Sequence, residues 1–445
     1  MLRLSSQRPS VGVGVGIALA TCTVAGLAAC STSSPSTHED HATPAAETQG
    51  AAAHEAHANA AQQASTSAVD LRAQLEQYLG QHAILTVRLT RARLRDDGDL
   101  AQTADAALSK NTQDMGALIE TVYGAAAAEE FERVWFDHVT YLFDYARGVA
   151  ENDPEVQAEA VEGLDGYLDG LSTFLAEATN DALPASTVHH ELQMHVDQLI
   201  QQTDAYAAGD YVRAFELERQ SYAHMFPLGK TLAAGIVTGT GATLPEDFDS
   251  PARQMQSQLG MALAEHAELA VDAMRSGLAG QADFTAAAGA LDTNTREITG
   301  VIESIFGAEA ATAFQALWAD HIDAFVGYTT ALASGDEALE SQSRARLEQF
   351  NASFSAFLAT AVQDRLGASS LDEAFVAHED FLLRQIDSYA ARDYITAHEL
   401  SFDAYQHMFA LAAQLATAIG DTVAARSPEG GMQTGLGGTA AIGRR

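Results

Sequence analysis

Residues 131–145 read FERVWFDHVTYLFDY, and residues 314–328 read FQALWADHIDAFVGY. In the first stretch, Trp135, His138, Leu142 and Tyr145 keep the three- and four-residue spacing of one helix face. In the second, Phe314, Trp318 and His321 stand 183 residues after Phe131, Trp135 and His138. An amphipathic helix with a histidine inside its apolar stripe therefore occurs twice.

The duplication extends outward in both directions. His82 in QHAILTV returns as His266 in EHAELAV, offset by 184 residues. His195, eleven before Tyr206, returns as His378, eleven before Tyr389. His224 in YAHMF returns as His407 in YQHMF, again offset by 183. Little else is kept so strictly, so the internal comparison singles out four histidines per copy.

Breakers near Asp97-Gly98, Gly124, Asp153-Pro154, Leu183-Pro184 and Gly209-Asp210 divide the first copy into about six helices. The second copy breaks near Gly280, Gly307, Gly335-Asp336, Gly367 and Arg392-Asp393. No segment alternates as a strand does. The fold class is all-α: two tandem homologous helical-bundle repeats, residues 69–238 and 251–420, joined by 239–250. Each is long enough for a core of its own. Residues 421–445 are Gly-rich and read as a disordered tail.

The N-terminus reads as a secretion signal, residues 1–29, with Arg3 and Arg8 ahead of an apolar run. Leu27-Ala28-Ala29-Cys30 resembles the lipobox of bacterial lipoproteins, which implies cleavage before Cys30 and lipidation of its sulfur. Cys22 is then lost with the signal, and any metal site must use nitrogen, oxygen or thioether ligands. Residues 30–68 read as a flexible tether. It carries His38, His41, His54 and His57 as two H-x-x-H pairs beside carboxylates, a weak metal-capture pattern.

Formal net charge is −36, and −38 once Arg3 and Arg8 leave with the signal. Such a surface repels phosphate backbones, which excludes nucleic acid, and concentrates cations.

Spacing places the histidines at one level. His195 lies fourteen residues before Gly209 and His224 fourteen after Asp210, so an antiparallel hairpin sets them at equal height. His378 and His407 repeat this about Arg392-Asp393. The same counting brings His82, His138 and Asn111 near that layer, with His266, His321 and Asn294 in the second copy. Four neutral imidazoles at one level suit Cu, Zn, Fe or Ni, and two opposed ones would clamp a haem iron. Asn111, Glu216, Asn294 and Glu399 are candidate outer acceptors that fix imidazole tautomers. The alternative is a buried hydrogen-bond layer that sets helix register. Met194, Met225 and Met408 adjoin the histidines, which favours copper over zinc or haem. Adjacent helical residues point about 100° apart, however, so Met225 and Met408 read as core fillers.

Hemerythrin-like and ferritin-like pairings are excluded. Leu142 and Leu199 follow His138 and His195 at i+4, and Leu192 and Phe375 precede His195 and His378 at i−3. No H-E-x-x-H, P-loop or G-x-S-x-G occurs, and no catalytic signature is found.

The strings FERVWFDHVTYLFDY, HVDQLIQQTDAY and GDYVRAFELERQSYAHMF resemble a group of secreted Gram-positive proteins built from this repeat, some labelled copper-amine-oxidase-like. The resemblance implies the fold and an envelope location. It does not imply the activity, since the N-Y-D/E tripeptide of that enzyme is missing. The sequence thus leads to the expectation of a non-catalytic transition-metal binder or buffer, lipid-anchored on the outer face of the cell membrane. Metal-handling envelope proteins are its expected partners, and its oligomeric state is left open. A haem-binding electron-transfer bundle and a structural or interaction lipoprotein are the alternatives.

Overall fold

The computed structural model describes the backbone of residues 49–426 and the side chains of 68–425. The chain divides into two units, Met1–Ala56 and His57–Arg445. The helices lie in the second unit, apart from the opening of the first, which begins at Gln49. Cys30, the signal and residues 427–445 lie outside the described residues.

Twelve helices and no strand occur among the described residues. The first repeat comprises α1 (Gln49–Leu94), α2 (Gly98–Tyr123), α3 (Ala125–Glu151), α4 (Pro154–Ala178), α5 (Ala185–Ala207) and α6 (Tyr211–Gly239). The second comprises α7 (Pro251–Leu278), α8 (Phe284–Phe306), α9 (Ala308–Ser334), α10 (Glu337–Ala361), α11 (Ala368–Ala391) and α12 (Tyr394–Arg426). Every break read from the sequence is a helix boundary. Two boundaries differ: α1 begins at Gln49, inside the segment read as a tether, and α12 runs on to Arg426, so residues 421–426 of the segment read as a disordered tail are helical. The alanine-rich stretch of α1, Ala51 to Ala61, is made of the strongest helix former.

The chain chemistry explains the boundaries. Asp153 and Asp336, at matching places, each accept two backbone N–H groups at the start of α4 and α10. This satisfies donors that a helix leaves unpaired at its first turn. Gly124 and Gly307 end α2 and α8 at φ +85 and +90, where a side chain would be strained.

Consecutive helices pack side by side, and the last returns to the first. The Cα of Gly229 on α6 comes so near α1 that an added Cβ would meet Glu76 N at 2.8 Å. In the second repeat α12 packs along α7.

The repeats join about a pseudo-two-fold relationship. α6 packs on α8, and its counterpart α12 packs on α2. Tyr405 donates its hydroxyl to that of its own counterpart, Tyr222, at 3.3 Å. Phe226 and Phe409, also counterparts, stack with an interplanar angle of 3°. One apolar cluster runs across both copies, from Leu85, Leu89 and Leu108 to Leu263, Leu291 and Ile419. The connecting segment is docked as well: Phe248 is buried, and its carbonyl accepts from Arg72 at 2.7 Å.

Candidate metal centre

In the second repeat α7, α9 and α11 each direct one histidine inward. The ring centroids of His266, His321 and His378 form a near-equilateral triangle with sides of 5.9, 6.0 and 6.2 Å. Each offers a ring nitrogen, and the three nitrogens lie within 4.8 Å of one another. All three rings are buried. Trp318 packs tilted against His266 at 4.6 Å and Phe350 stacks on His321 at 4.3 Å, which fixes both imidazoles between aromatic neighbours. A cavity of about 50 Å³ opens beside them, lined by His321, His378, Trp318 and Met408 among apolar side chains.

Burial disfavours the imidazolium form. It pulls His321 down to about 3, and burial together with the neighbouring imidazoles pulls His266 and His378 well below the ordinary histidine value. The rings are therefore neutral at physiological pH, with lone pairs available. Both nitrogens of His266 and both of His378 are buried without a hydrogen-bond partner. A layer built only to set register would pair these atoms, since each unsatisfied polar group costs about 1–3 kcal/mol. Unpaired, converging imidazole nitrogens are the donor set a transition metal requires.

A carboxylate completes the surroundings. Glu379 Oε1 lies 3.4 Å from His321 Nδ1, and its other oxygen accepts from Asn351 Nδ2 at 2.7 Å. Burial raises Glu379 to about 8. Sequence reasoning missed this pair. The counterparts of Glu379 and Asn351 in the first repeat are Val196 and Leu168, so a search for what the copies share passes over them.

The first repeat assembles the same three positions differently. His82 Nε2 and His138 Nε2 face each other at 3.2 Å, and the His195 ring centroid lies 5.8 Å from that of His82. This is hydrogen-bond distance, so one of the two nitrogens carries the shared proton and would have to lose it to another tautomer before both could face a metal. His195 instead engages Ser221 Oγ through Nδ1 at 3.1 Å, leaving its Nε2 buried and unpaired. Where the first repeat has Ser221, the second has Ala404. Burial lowers His138 and His195 to about 3 and His82 well below the ordinary value.

The fourth histidine of each repeat stands apart. His224 Nε2 lies 3.0 Å from the Glu191 carbonyl, and His407 Nε2 lies 2.8 Å from that of Ala374. They tie α6 to α5 and α12 to α11. Helix azimuth turns these rings away from the other three and onto the neighbouring helix backbone. The 100° step has the opposite consequence for the next residue: Met408 lines the cavity beside the centre and His407 does not. Met194 is exposed and Met225 is buried in the apolar core.

The proposed outer acceptors are also placed differently. Glu216 and Glu399 are exposed, the former paired with Arg213. Both lie on the solvent side of a helix whose buried acid, in the first repeat, is Glu218. Asn111 and Asn294 are buried, but their amides donate to Tyr78 and Ala262 carbonyls and to Gln81 and Glu265 side chains. They brace α1 and α7, the helices that carry His82 and His266. His38 and His41 lie outside the described residues, and only the backbone of α1 is described at His54 and His57.

Comparison with family models, curated proteins and solved structures found no match to this chain.

Proposed function

We propose that this protein is a non-catalytic transition-metal binder whose principal site is held by His266, His321 and His378. The observation that carries the reading is the set of buried, unpaired nitrogens on three rings that converge within 4.8 Å. Three neutral imidazoles suit copper or zinc, and the thioether of Met408 in the same cavity favours copper, especially Cu(I). His82, His138 and His195 supply a second site in the first repeat. A porphyrin fits poorly: the cavity is about 50 Å³, and Trp318 and the third imidazole occupy the space a macrocycle needs. The lipobox-like Cys30 supports tethering to the outer face of a membrane, where the acidic surface would gather cations for storage or transfer to metal-handling partners.

Elemental analysis of the purified mature protein, followed by titration with Cu(I), Cu(II) and Zn(II), tests this. Binding of one to two ions per chain is expected, with the triple variant His266→Ala/His321→Ala/His378→Ala losing the tighter one. A wild-type protein that neither retains nor takes up any of these ions rules the reading out.

A further inference from the structure

The two histidine triads sit in matched aromatic frames. Trp135 packs against His82 at 4.8 Å and Trp318 against His266 at 4.6 Å, while Tyr167 stacks on His138 and Phe350 on His321, both at 4.3 Å. Burial does not separate the triads either, since none of the six rings is more than 3% exposed. What differs is how the ring nitrogens are engaged. Among the described residues only His266, His321 and His378 bring three ligand nitrogens within 4.8 Å of one another.

In the first repeat hydrogen bonds occupy those nitrogens. His82 Nε2 and His138 Nε2 share one proton at 3.2 Å, and His195 Nδ1 meets Ser221 Oγ at 3.1 Å. Ser221 is fully buried and its hydroxyl makes no other hydrogen bond. A buried hydroxyl proton without an acceptor is costly, so Ser221 donates and Nδ1 accepts. The imidazole then carries its own proton on Nε2, the nitrogen left without a partner. Neither nitrogen of His195 is free to ligate, because one lone pair is engaged and the other nitrogen is protonated. In the second repeat Ala404 stands in the place of Ser221, and both nitrogens of His378 are unpaired. Val196 likewise gives way to Glu379, whose carboxyl group lies 3.4 Å from His321.

We infer that the two centres form a graded pair, in which the second repeat holds its ion and the first gives its ion up, and that Ser221 is the positioning residue that sets the difference. The inference rests on the metal reading of both triads. Before an ion enters the first repeat, the His82–His138 bond must break and Ser221 must let go of His195. When the ion leaves, both bonds re-form, so they compete with the metal at every exchange. The second triad forfeits no such bond on loading. Filling therefore begins in the second repeat, and a chelating acceptor draws from the first. One chain thereby retains one ion while passing on another.

Cu(I) titration of the mature chain against chromophoric chelators reads both binding constants. Two steps are expected, the weaker lost in His195→Ala and the tighter in His378→Ala. Ser221→Ala installs the residue the second repeat already carries. It should tighten the weaker step about tenfold, as expected when one hydrogen bond no longer opposes the ion, and leave the tighter step unchanged. Ala404→Ser should weaken the tighter step by a similar factor. Histidine-selective nitrogen NMR of the metal-free chain should show His195 protonated on Nε2, and that preference should disappear in Ser221→Ala. Equal constants in wild type, a weaker step unchanged or weakened in Ser221→Ala, or a His195 proton on Nδ1 in wild type would each overturn the proposal while leaving both triads as metal sites. A wild-type chain that takes up no Cu(I) removes the metal reading and the graded pair with it, even where NMR finds the Ser221 bond as described.

Discussion

Arg88 and Asp272 occupy the same position in their two repeats, and they pair with each other at 3.3 Å. A two-fold arrangement of identical copies would set like charges face to face there. Divergence to opposite signs turns that repulsion into an ion pair. Arg88 is also paired with Glu268 at 2.5 Å and donates to Ser401 Oγ at 2.9 Å. Arg275 lies 3.4 Å from Asp272, and Arg91 pairs with Glu218 at 2.9 Å. Such a desolvated network is costly to assemble and more costly to break.

Arg88→Ala leaves Glu268 and Asp272 buried without their principal cation. A loss of about 3–5 kcal/mol is expected. Because the core crosses the interface, both repeats should melt in one transition in wild type. Calorimetry checks this, and two resolved transitions in the wild-type chain would contradict a shared core.

His378→Ala and His407→Ala separate the centre from its neighbourhood. The first should abolish metal binding in the second repeat and halve the stoichiometry if both sites fill. The second removes only a bond to the Ala374 carbonyl and should leave the stoichiometry intact. Elemental analysis after dialysis distinguishes them.

Met408→Leu preserves volume and removes the thioether. Affinity for Cu(I) should fall at least tenfold while affinity for Zn(II) changes little, since soft ligands select Cu(I). Competition titrations with chromophoric chelators measure both.

Acid should destabilise the metal-free protein before most carboxylates titrate. An unfolded imidazole has a pKa near 6.5. In the fold His138, His195 and His321 lie at about 3, with His82, His266 and His378 also well lowered. Between these limits the unfolded chain binds more protons, so stability falls as pH drops from roughly 6.5 towards 3. Each buried ring contributes at most about 1.4 kcal/mol per pH unit. Urea midpoints across this window should decline steeply, and His321→Phe should lessen the slope.

Glu379 acts with the opposite sign. Its folded pKa of about 8 exceeds the ordinary carboxylate value, so the fold retains a proton the unfolded chain has lost. Its contribution is complete below about 4.5 and fades as pH rises through 8. Glu379→Gln should remove that alkaline decline in chelator-treated protein. An unchanged urea midpoint profile between pH 5 and 9 would show that the carboxyl group does not titrate there.

Helix number and the breaks between helices follow from the sequence, because local breakers and a fixed rise per residue determine them. His82, His138 and His195, with His266, His321 and His378, were legible as inward positions because they continue apolar stripes. What height cannot specify is the direction in which a side chain leaves its helix. That depends on how neighbouring helices rotate and cross, so His224 and His407 bond carbonyls of adjacent helices while Met408 enters the cavity. The pairing of Arg88 with Asp272 and the carboxyl of Glu379 beside His321 both join residues far apart in the chain. Comparing the repeats for sameness finds the histidines. Only tertiary packing gives meaning to the positions where they differ.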